Sequence, residues 1–444
     1  MASASSRSKR RPSARVRRRA IQGFQIATLD NGLRVVTEPI DGVRSVALGV
    51  WIGVGSRNED PTRAGISHLI EHLIFKGTAE YSAWDIARIF DQMGGELNAA
   101  TAKEYTLVHA RFLDAHLDEA FAVMADMVAR PLMADLDAER EVVLEEVALY
   151  EDSPSELIHD YLAETVFWEH PLGRQIIGTA DTLQSLDEPA ITSYHRQHYV
   201  SPAIVVAAAG NLRHERIVEL ARRHFSGDGG LTTAPEPRLR QPEARHDAFF
   251  MRKDTEQFHV CLGAPTMPRD DPRRFALSVL DTALGGSSSS RLFQEIREKR
   301  GLVYSVYSYT SLYADTGLVA ISFGSRPEGL AEVMDLCTAE LERLAETLTV
   351  EEVERTKEQI KGQIVLSMES PSARMNRLGR SVLLGLEIRT LDGMLDQVDA
   401  VDCDAVVALA REFYDVGTWS AVCIGPESGP FQATVGSYKW WDPQ

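Results

Sequence analysis

Apolar residues recur at two spacings along the chain. Residues 46–52 form a nearly continuous apolar run, which predicts a buried strand. Farther on, Ile66, Leu69, Ile70 and Leu73 recur every three or four residues, the spacing of an amphipathic helix. Short apolar runs and long helical patterns are mixed in both halves of the chain. This mixture predicts an α+β fold built from α/β sandwiches.

The pattern of the first half returns in the second. Residues 46–73 give a strand, a turn at Asp60-Pro61 and a helix, and residues 260–284 repeat that plan with Asp271-Pro272 at the turn. Two further pairs of similar segments follow in the same order, so that the three pairs lie at offsets of 211, 217 and about 215 residues. Matches in one order at similar offsets indicate a duplicated domain.

Chain length agrees with two domains, because 444 residues exceed what one hydrophobic core usually serves. A Gly/Pro-rich polar stretch near the middle has the composition of a linker. We expect an N-terminal arm over residues 1–21, a first domain over 22–228, a linker over 229–246 and a second domain over 247–444. We expect the two domains to face each other around a chamber.

Charge is distributed unevenly. Residues 1–20 hold eight basic and no acidic residues, so the rest of the chain has 39 basic against 65 acidic residues, a net charge of −26. Such a body repels nucleic acid and attracts basic partners. The arm is expected to be a disordered extension, with a nucleic-acid tail and an organellar transit peptide as alternatives. We expect a cytoplasmic protein, or a mitochondrial matrix protein if the arm is a transit peptide, and no apolar run is long enough to span a membrane.

All four cysteines lie in the second half and none forms a C-x-x-C pair, which is typical of reduced core thiols: Cys261, Cys337, Cys403 and Cys423. A metal in the first half would therefore need histidine and carboxylate ligands.

The segment from His68 to His72 reads His-Leu-Ile-Glu-His on a predicted helix. Residues four apart project from the same helix face, so the two imidazoles can converge on one ion. Glu71 leans over that face, where a carboxylate can take a proton from an attacking water. The five residues predict two metal ligands and a general base.

A catalytic zinc site needs a third protein ligand. The acidic helical segment 137–150 offers Glu139 and Glu146, which lie two turns apart on one face, but spacing alone does not choose between Glu145 and Glu146. At the corresponding positions of the second half stand residues without this chemistry: Val279, Thr282, Ala283, Thr356 and Gln363. Only the first half is therefore expected to hold a metal.

With these motifs, the chain resembles the pitrilysin family of inverzincin peptidases, in particular its short bacterial and mitochondrial processing-peptidase branch. The resemblance extends from about residue 22 to the C-terminus. It implies one Zn²⁺ per chain, held by His68, His72 and Glu146, with Glu71 as the base and Glu139 as a supporting acid behind the ligands.

Two more motifs resemble that family. Residues 94–101 include Asn98 and Ala99, which the resemblance implies lie on an edge strand that pairs with the substrate backbone. In the second half, Arg297 and Tyr304 stand seven residues apart, and the resemblance implies that they reach the substrate carbonyl and stabilise the oxyanion.

The sequence therefore predicts a zinc-dependent endopeptidase acting on peptides or unfolded segments. We expect a preference for basic peptides from the acidic body, and a homodimer or a dimer with a related subunit. Two alternatives stay open: a catalytically silent structural subunit of the same fold, and a nucleic-acid-binding function of the basic arm.

Overall fold

The computed structural model describes residues 23–225, 239–243 and 245–438. The predicted arm and most of the predicted linker lie outside the described residues. Within the described part, two mixed sheets and their helices form two α/β sandwiches, which confirms the predicted fold class.

The first sheet has six strands in the order β1-β2-β6-β3-β5-β4. All neighbours are antiparallel except the parallel pair β2 and β6. Its strands are β1 (Gln25–Thr28), β2 (Arg34–Pro39), β3 (Ser45–Ile52), β4 (Glu96–Thr101), β5 (Thr106–Leu113) and β6 (Ile204–Gly210). The apolar run predicted as a strand is β3, which is buried along almost its whole length.

The second sheet has the order β7-β11-β8-β10-β9, with one parallel pair, β7 and β11. Its strands are β7 (Ala248–Arg252), β8 (Phe258–Thr266), β9 (Val306–Leu312), β10 (Gly317–Ser325) and β11 (Ser420–Gly425). This order and these directions reproduce those of β2, β6, β3, β5 and β4. The repeat found in the sequence is thus a repeat of topology.

The helices of the first half are α1 (Ile66–Leu73), α2 (Ala83–Gln92), α3 (Leu117–Ala129), α4 (Leu136–Glu151), α5 (Pro154–Phe167), α6 (Ala180–Ser185), α7 (Glu188–His198) and α8 (His214–His224). Those of the second half are α9 (Arg274–Leu284), a π-helical segment (Phe293–Glu298), α10 (Leu330–Thr347), α11 (Val350–Ser367), α12 (Pro371–Leu383), α13 (Leu391–Asp399), α14 (Cys403–Phe413) and α15 (Gly429–Ser437). No helix among the described residues combines the length and the apolar character that a membrane crossing requires.

The two halves exchange one helix each. Helix α5 comes from the first half but packs on the second sheet, where Leu162 and Phe167 meet Cys261 and Leu318 in one buried cluster. A β-carbon on Gly263 of β8 would lie 2.8 Å from Leu162, so the absence of a side chain there lets the helix approach. In return, α12 of the second half packs on the first sheet around Trp51. Each sheet therefore has its own helices on one face and a borrowed helix on the other.

Candidate metal centre and active site

Helix α1 carries both histidines and Glu71, and its N-terminus is fixed by a carboxylate. Gly65, the residue before the helix, has a φ of 93°, a left-handed conformation that favours glycine. The buried carboxylate of Glu59 accepts hydrogen bonds from the backbone N–H groups of Gly65, at 2.8 Å, and Ser67, at 2.9 Å. These bonds satisfy donors that a helix start leaves without partners.

His68, His72 and Glu146 come together across α1 and α4. Nε2 of His68 lies 3.7 Å from Oε1 of Glu146, and Nε2 of His72 lies 3.3 Å from Oε2 of Glu146. One donor atom from each of the three residues lies within 4.8 Å of the others, and among the described residues no second group of three such side chains comes this close. Neighbouring Glu145 is exposed and lies outside this group. Of the two glutamates that the spacing left open, Glu146 is the one brought to the histidines.

This donor set fits a zinc ion. Ligands bonded to tetrahedral zinc at about 2.0–2.1 Å lie about 3.4 Å apart, close to both nitrogen–oxygen separations found here. Burial, with a smaller contribution from the charge of His72, lowers the pKa of His68 to about 4, so its ring is neutral at neutral pH. A neutral imidazole is the form that binds metal. Nδ1 of His68 is buried and has no hydrogen-bond partner among the described residues.

Glu139 lies behind His72. Its Oε2 is 3.5 Å from Nδ1 of His72, the nitrogen turned away from Glu146, and its Oε1 is 2.5 Å from Nζ of Lys76. Its side chain is only 7% exposed. A carboxylate on the outer nitrogen of a histidine ligand fixes the ring orientation and tautomer, so the position of Glu139 suits the predicted supporting acid.

The side chain of Glu71 extends from α1 to the edge of the first sheet. The Thr101 hydroxyl, at the end of β4, donates a hydrogen bond to Oε2 of Glu71. Burial raises the pKa of Glu71, and the nearby Glu146 carboxylate adds to this, whereas the Thr101 hydrogen bond opposes it. A carboxylate with a raised pKa is better suited to take up and return a proton near neutral pH.

Asn98 and Ala99 lie on β4, which pairs with β5 alone and so forms one edge of the sheet. Asn98 is exposed, whereas the side chain of Ala99 enters the core of the first half. The Ala99 backbone N–H donates to Oδ1 of Asn98 at 2.8 Å. The strand that the sequence predicted as an edge strand is one, and it ends at the residue that contacts Glu71.

Arg297 and Tyr304 lie together, but no hydrogen bond or ion pair among the described residues joins them to the histidine–glutamate cluster. The Arg297 guanidinium stands 5.2 Å from the centre of the Tyr304 ring and 4.5 Å from that of Phe293. Tyr304 is 85% exposed. Tyr304 is therefore open to a bound ligand, whereas Arg297 is partly buried and also lies 3.9 Å from Glu298. The predicted role of both residues stays a prediction.

Sequence reasoning did not assign roles to Glu59 or to the hydroxyl of Thr101. Glu59 reads as one acid in a polar loop, and nothing in its spacing indicates that it accepts hydrogen bonds from α1 six residues later. Thr101 belongs to the edge-strand motif, but the motif alone does not indicate that its hydroxyl contacts Glu71.

Comparison with known proteins assigns the family. Residues 34–180 match the family described as "Insulinase (Peptidase family M16)", and residues 185–360 match the "Peptidase M16 inactive domain". A Streptomyces coelicolor protein named as an uncharacterized zinc protease is 45% identical over 394 residues, covering 87% of this chain and 86% of the relative. This chain belongs to peptidase family M16. The resemblance to the pitrilysin-like peptidases is thereby confirmed.

Another relative and two solved structures are also similar to this chain. A Bacillus subtilis protein with the same kind of name is 40% identical over 393 residues, covering 87% of this chain and 95% of the relative. The crystal structure of a Helicobacter pylori protease superposes with a TM-score of 0.85 at 25% identity, covering 91% of this chain and 99% of that one. A Pseudomonas fluorescens structure described as a peptidase M16 inactive domain gives 0.84 at 22% identity and supports the fold alone.

Proposed function

We propose that this chain is a zinc-dependent endopeptidase. The observation that carries the proposal is the approach of His68, His72 and Glu146 to one another beside Glu71. Relatives named as uncharacterized zinc proteases agree with it. A silent structural subunit, the alternative, has no need of an intact ligand set, and this chain retains one.

In this proposal His68, His72 and Glu146 hold one Zn²⁺ per chain. When bound, the ion supplies Lewis acidity that polarises a peptide carbonyl and a water molecule. Glu71 takes a proton from the water while the water oxygen forms a bond to the carbonyl carbon. Glu71 then returns the proton to the leaving nitrogen as the carbon–nitrogen bond breaks, so that the carboxylate is regenerated.

Substrate would add to the open edge of β4. An extended peptide there would pair with backbone groups around Asn98 and Ala99 and would lie next to Thr101 and Glu71. Strand addition requires an unpaired backbone, which folded proteins rarely offer. Peptides and unfolded segments are therefore the proposed substrates, in a chamber between the two halves.

Arg297 and Tyr304 would stabilise the negative charge that develops on the carbonyl oxygen. Either the same chain or a second subunit could supply them, so a homodimer or a dimer with a related subunit forms part of the proposal. The net charge of −26 outside residues 1–20 supports a preference for basic peptides. Cleavage of a random peptide library tests this preference, and equal cleavage with and without Lys/Arg near the scissile bond would contradict it.

Metal content and peptide turnover of three variants test the central proposal. Glu71→Gln should keep its zinc and lose turnover by about a thousandfold or more, because it lacks the base. Glu146→Gln should lose most of its zinc and with it the activity. Glu145→Gln, the exposed neighbour on α4, serves as the matched control and should behave as wild type. Full turnover by Glu71→Gln would overturn the mechanism.

A further inference from the structure

The tip of the β4–β5 hairpin carries a nearly buried carboxylate that joins the two halves. Glu104 lies in the turn closed by the Ala102 N–H bonding to the Tyr105 carbonyl, and its side chain is 10% exposed. Its Oε1 accepts from Nη1 of Arg57, at 2.7 Å, and from the backbone N–H of Ala314, at 3.1 Å. Arg269 donates to Oε2. Two of these three donors come from the second half.

A corresponding carboxylate stands on the second half. Asp315 lies in the β9–β10 hairpin, 211 residues after Glu104, which is the offset of the internal repeat. Arg57 donates through both terminal nitrogens to Asp315 while one of them also contacts Glu104. Burial would raise the pKa of Asp315, but its hydrogen bonds and charge interaction with Arg57 outweigh burial and lower it. The two hairpins therefore meet tip to tip through two arginines and two carboxylates.

Such a network favours one geometry more than it favours stability. Buried ion pairs gain little net free energy because desolvation opposes the attraction, but removing one partner leaves a charge unmatched. Arg57, which donates to Asp315 through two nitrogens, also restricts the orientation of that carboxylate. The expected effect of this junction is to fix the position of the first hairpin relative to the second half.

The β4–β5 hairpin is close in sequence to the residue that contacts the proposed base, Glu71. Only two residues separate Glu104 from Thr101, whose hydroxyl holds Glu71. The turn is also held from the side, since the N–H groups of Ser56 and Arg57 donate to the carbonyls of Ala102 and Lys103, at 3.2 and 2.8 Å. A shift of the tip would therefore displace the end of β4 and the hydrogen bond to the base.

We propose that Glu104 is a positioning residue through which the second half holds β4, and with it Thr101 and Glu71, in register for proton transfer. The inference rests on the proposed endopeptidase function for its kinetic consequence. It gives the half without metal ligands a role in assembling the site from a distance, in addition to any contact of Arg297 and Tyr304 with substrate.

The chain offers a matched control. Glu38 on β2 is also a buried carboxylate between the halves, and it accepts hydrogen bonds from Arg374 and Arg377 of α12, both at 2.6 Å. It lies on a strand that does not pair with β4. Glu104→Gln and Glu38→Gln thus remove the same charge from two similar junctions. Only the junction at Glu104 lies next to the end of β4 that carries Thr101.

The first measurement is backbone hydrogen exchange of the full-length protein, which needs no turnover. Glu104→Gln should speed exchange of residues 96–101 by about tenfold, whereas Glu38→Gln should leave it within about twofold of wild type. Equal effects of the two variants on β4 would overturn the inference. If Glu104→Gln does not fold, Arg269→Lys, which keeps the charge but replaces the guanidinium that donates to Oε2 of Glu104, is judged by the same criterion.

The second measurement is steady-state peptide hydrolysis with zinc content determined in parallel. Glu104→Gln should lower kcat by about tenfold with little change in KM and full zinc content, and Glu38→Gln should not. In a Thr101→Val background, Glu104→Gln should add little further loss because both act through one contact. If the losses in kcat from the two substitutions multiply in the double variant, the inference is overturned. A wild-type protein without turnover would instead overturn the proposed function, and the hydrogen-exchange result would then decide the inference about Glu104.

Discussion

His72 Nδ1 lies 3.5 Å from Oε2 of Glu139, whose other oxygen contacts Lys76. Lys76, which follows α1, Glu139 of α4 and His72 of α1 thus form a row that ends at the proposed metal position. The contact with Lys76 holds the Glu139 carboxylate in place behind the ring, which is the arrangement expected for a carboxylate that supports a histidine ligand.

Glu139→Gln should therefore weaken zinc binding by about 10- to 100-fold without removing any ligand. The amide keeps the size of the side chain but weakens its interaction with the imidazole. Competition with a chelator of known affinity measures the change in Kd. Glu141→Gln, at an exposed position of the same helix, is the control. Unchanged affinity in Glu139→Gln would remove Glu139 from the metal centre.

Tyr304→Phe should lower kcat/KM by about 10²-fold while zinc content stays the same, because a hydrogen-bond donor to the developing oxyanion is lost. Arg297→Lys tests the neighbouring guanidinium in the same assay. Tyr307→Phe provides a comparison: Tyr307 is 37% exposed and its hydroxyl pairs with Nε2 of His159. Wild-type kinetics in both Tyr304→Phe and Arg297→Lys would show that the second half supplies no oxyanion contact.

Glu59 should make stability depend on pH. Burial raises its pKa from 4.5 to about 7, although hydrogen bonds from Ser67 and Gly65 oppose the shift. Because the folded-state pKa lies above the unfolded value, the contribution of Glu59 to stability is full below the unfolded pKa and is lost as the pH rises through about 7.

The stability difference between wild type and Glu59→Gln should therefore fall by about 2–3 kcal/mol between pH 5 and pH 8. Urea unfolding at both pH values measures it, and the titration of all other groups cancels in the difference. Parallel stability profiles for the two proteins would mean that Glu59 does not titrate in this range.

Gly65→Ala should destabilise the protein by about 2 kcal/mol or more, since a side chain is strained at positive φ. The added β-carbon would also lie 2.6 Å from the Ile177 carbonyl oxygen. Gly362→Ala on α11 is the opposite case, because nothing lies within 4 Å of its added carbon and alanine favours a helix. Thermal unfolding of the two variants should shift in opposite directions.

Much of the site follows from sequence because its signals are local. The spacing of His68 and His72 on a helix, and the two-turn separation of Glu139 and Glu146, define faces that need no tertiary information. The family resemblance preferred Glu146 to Glu145, and the geometry agrees. The duplicated α+β fold likewise follows from apolar patterns that recur at a constant offset.

Other features depend on contacts between distant segments. The apolar face of α5 predicts that the helix is buried but does not say against which sheet, so the exchange of α5 and α12 was not foreseen. Glu104 and Asp315 are ordinary loop acids in the sequence, and only the meeting of the two hairpins gives them a common role. The offset of 211 between them could have suggested equivalence, but not contact.

The helix exchange also makes each half an incomplete folding unit. A fragment ending in the central linker would carry α5 with its apolar side uncovered and would lack α12 over Trp51 and its neighbours. Cutting the chain in the linker should therefore yield two fragments that stay tightly associated, because each covers apolar surface of the other. Either fragment made alone should aggregate. Because each half covers an apolar sheet face of the other, we expect the two halves to unfold in one cooperative transition.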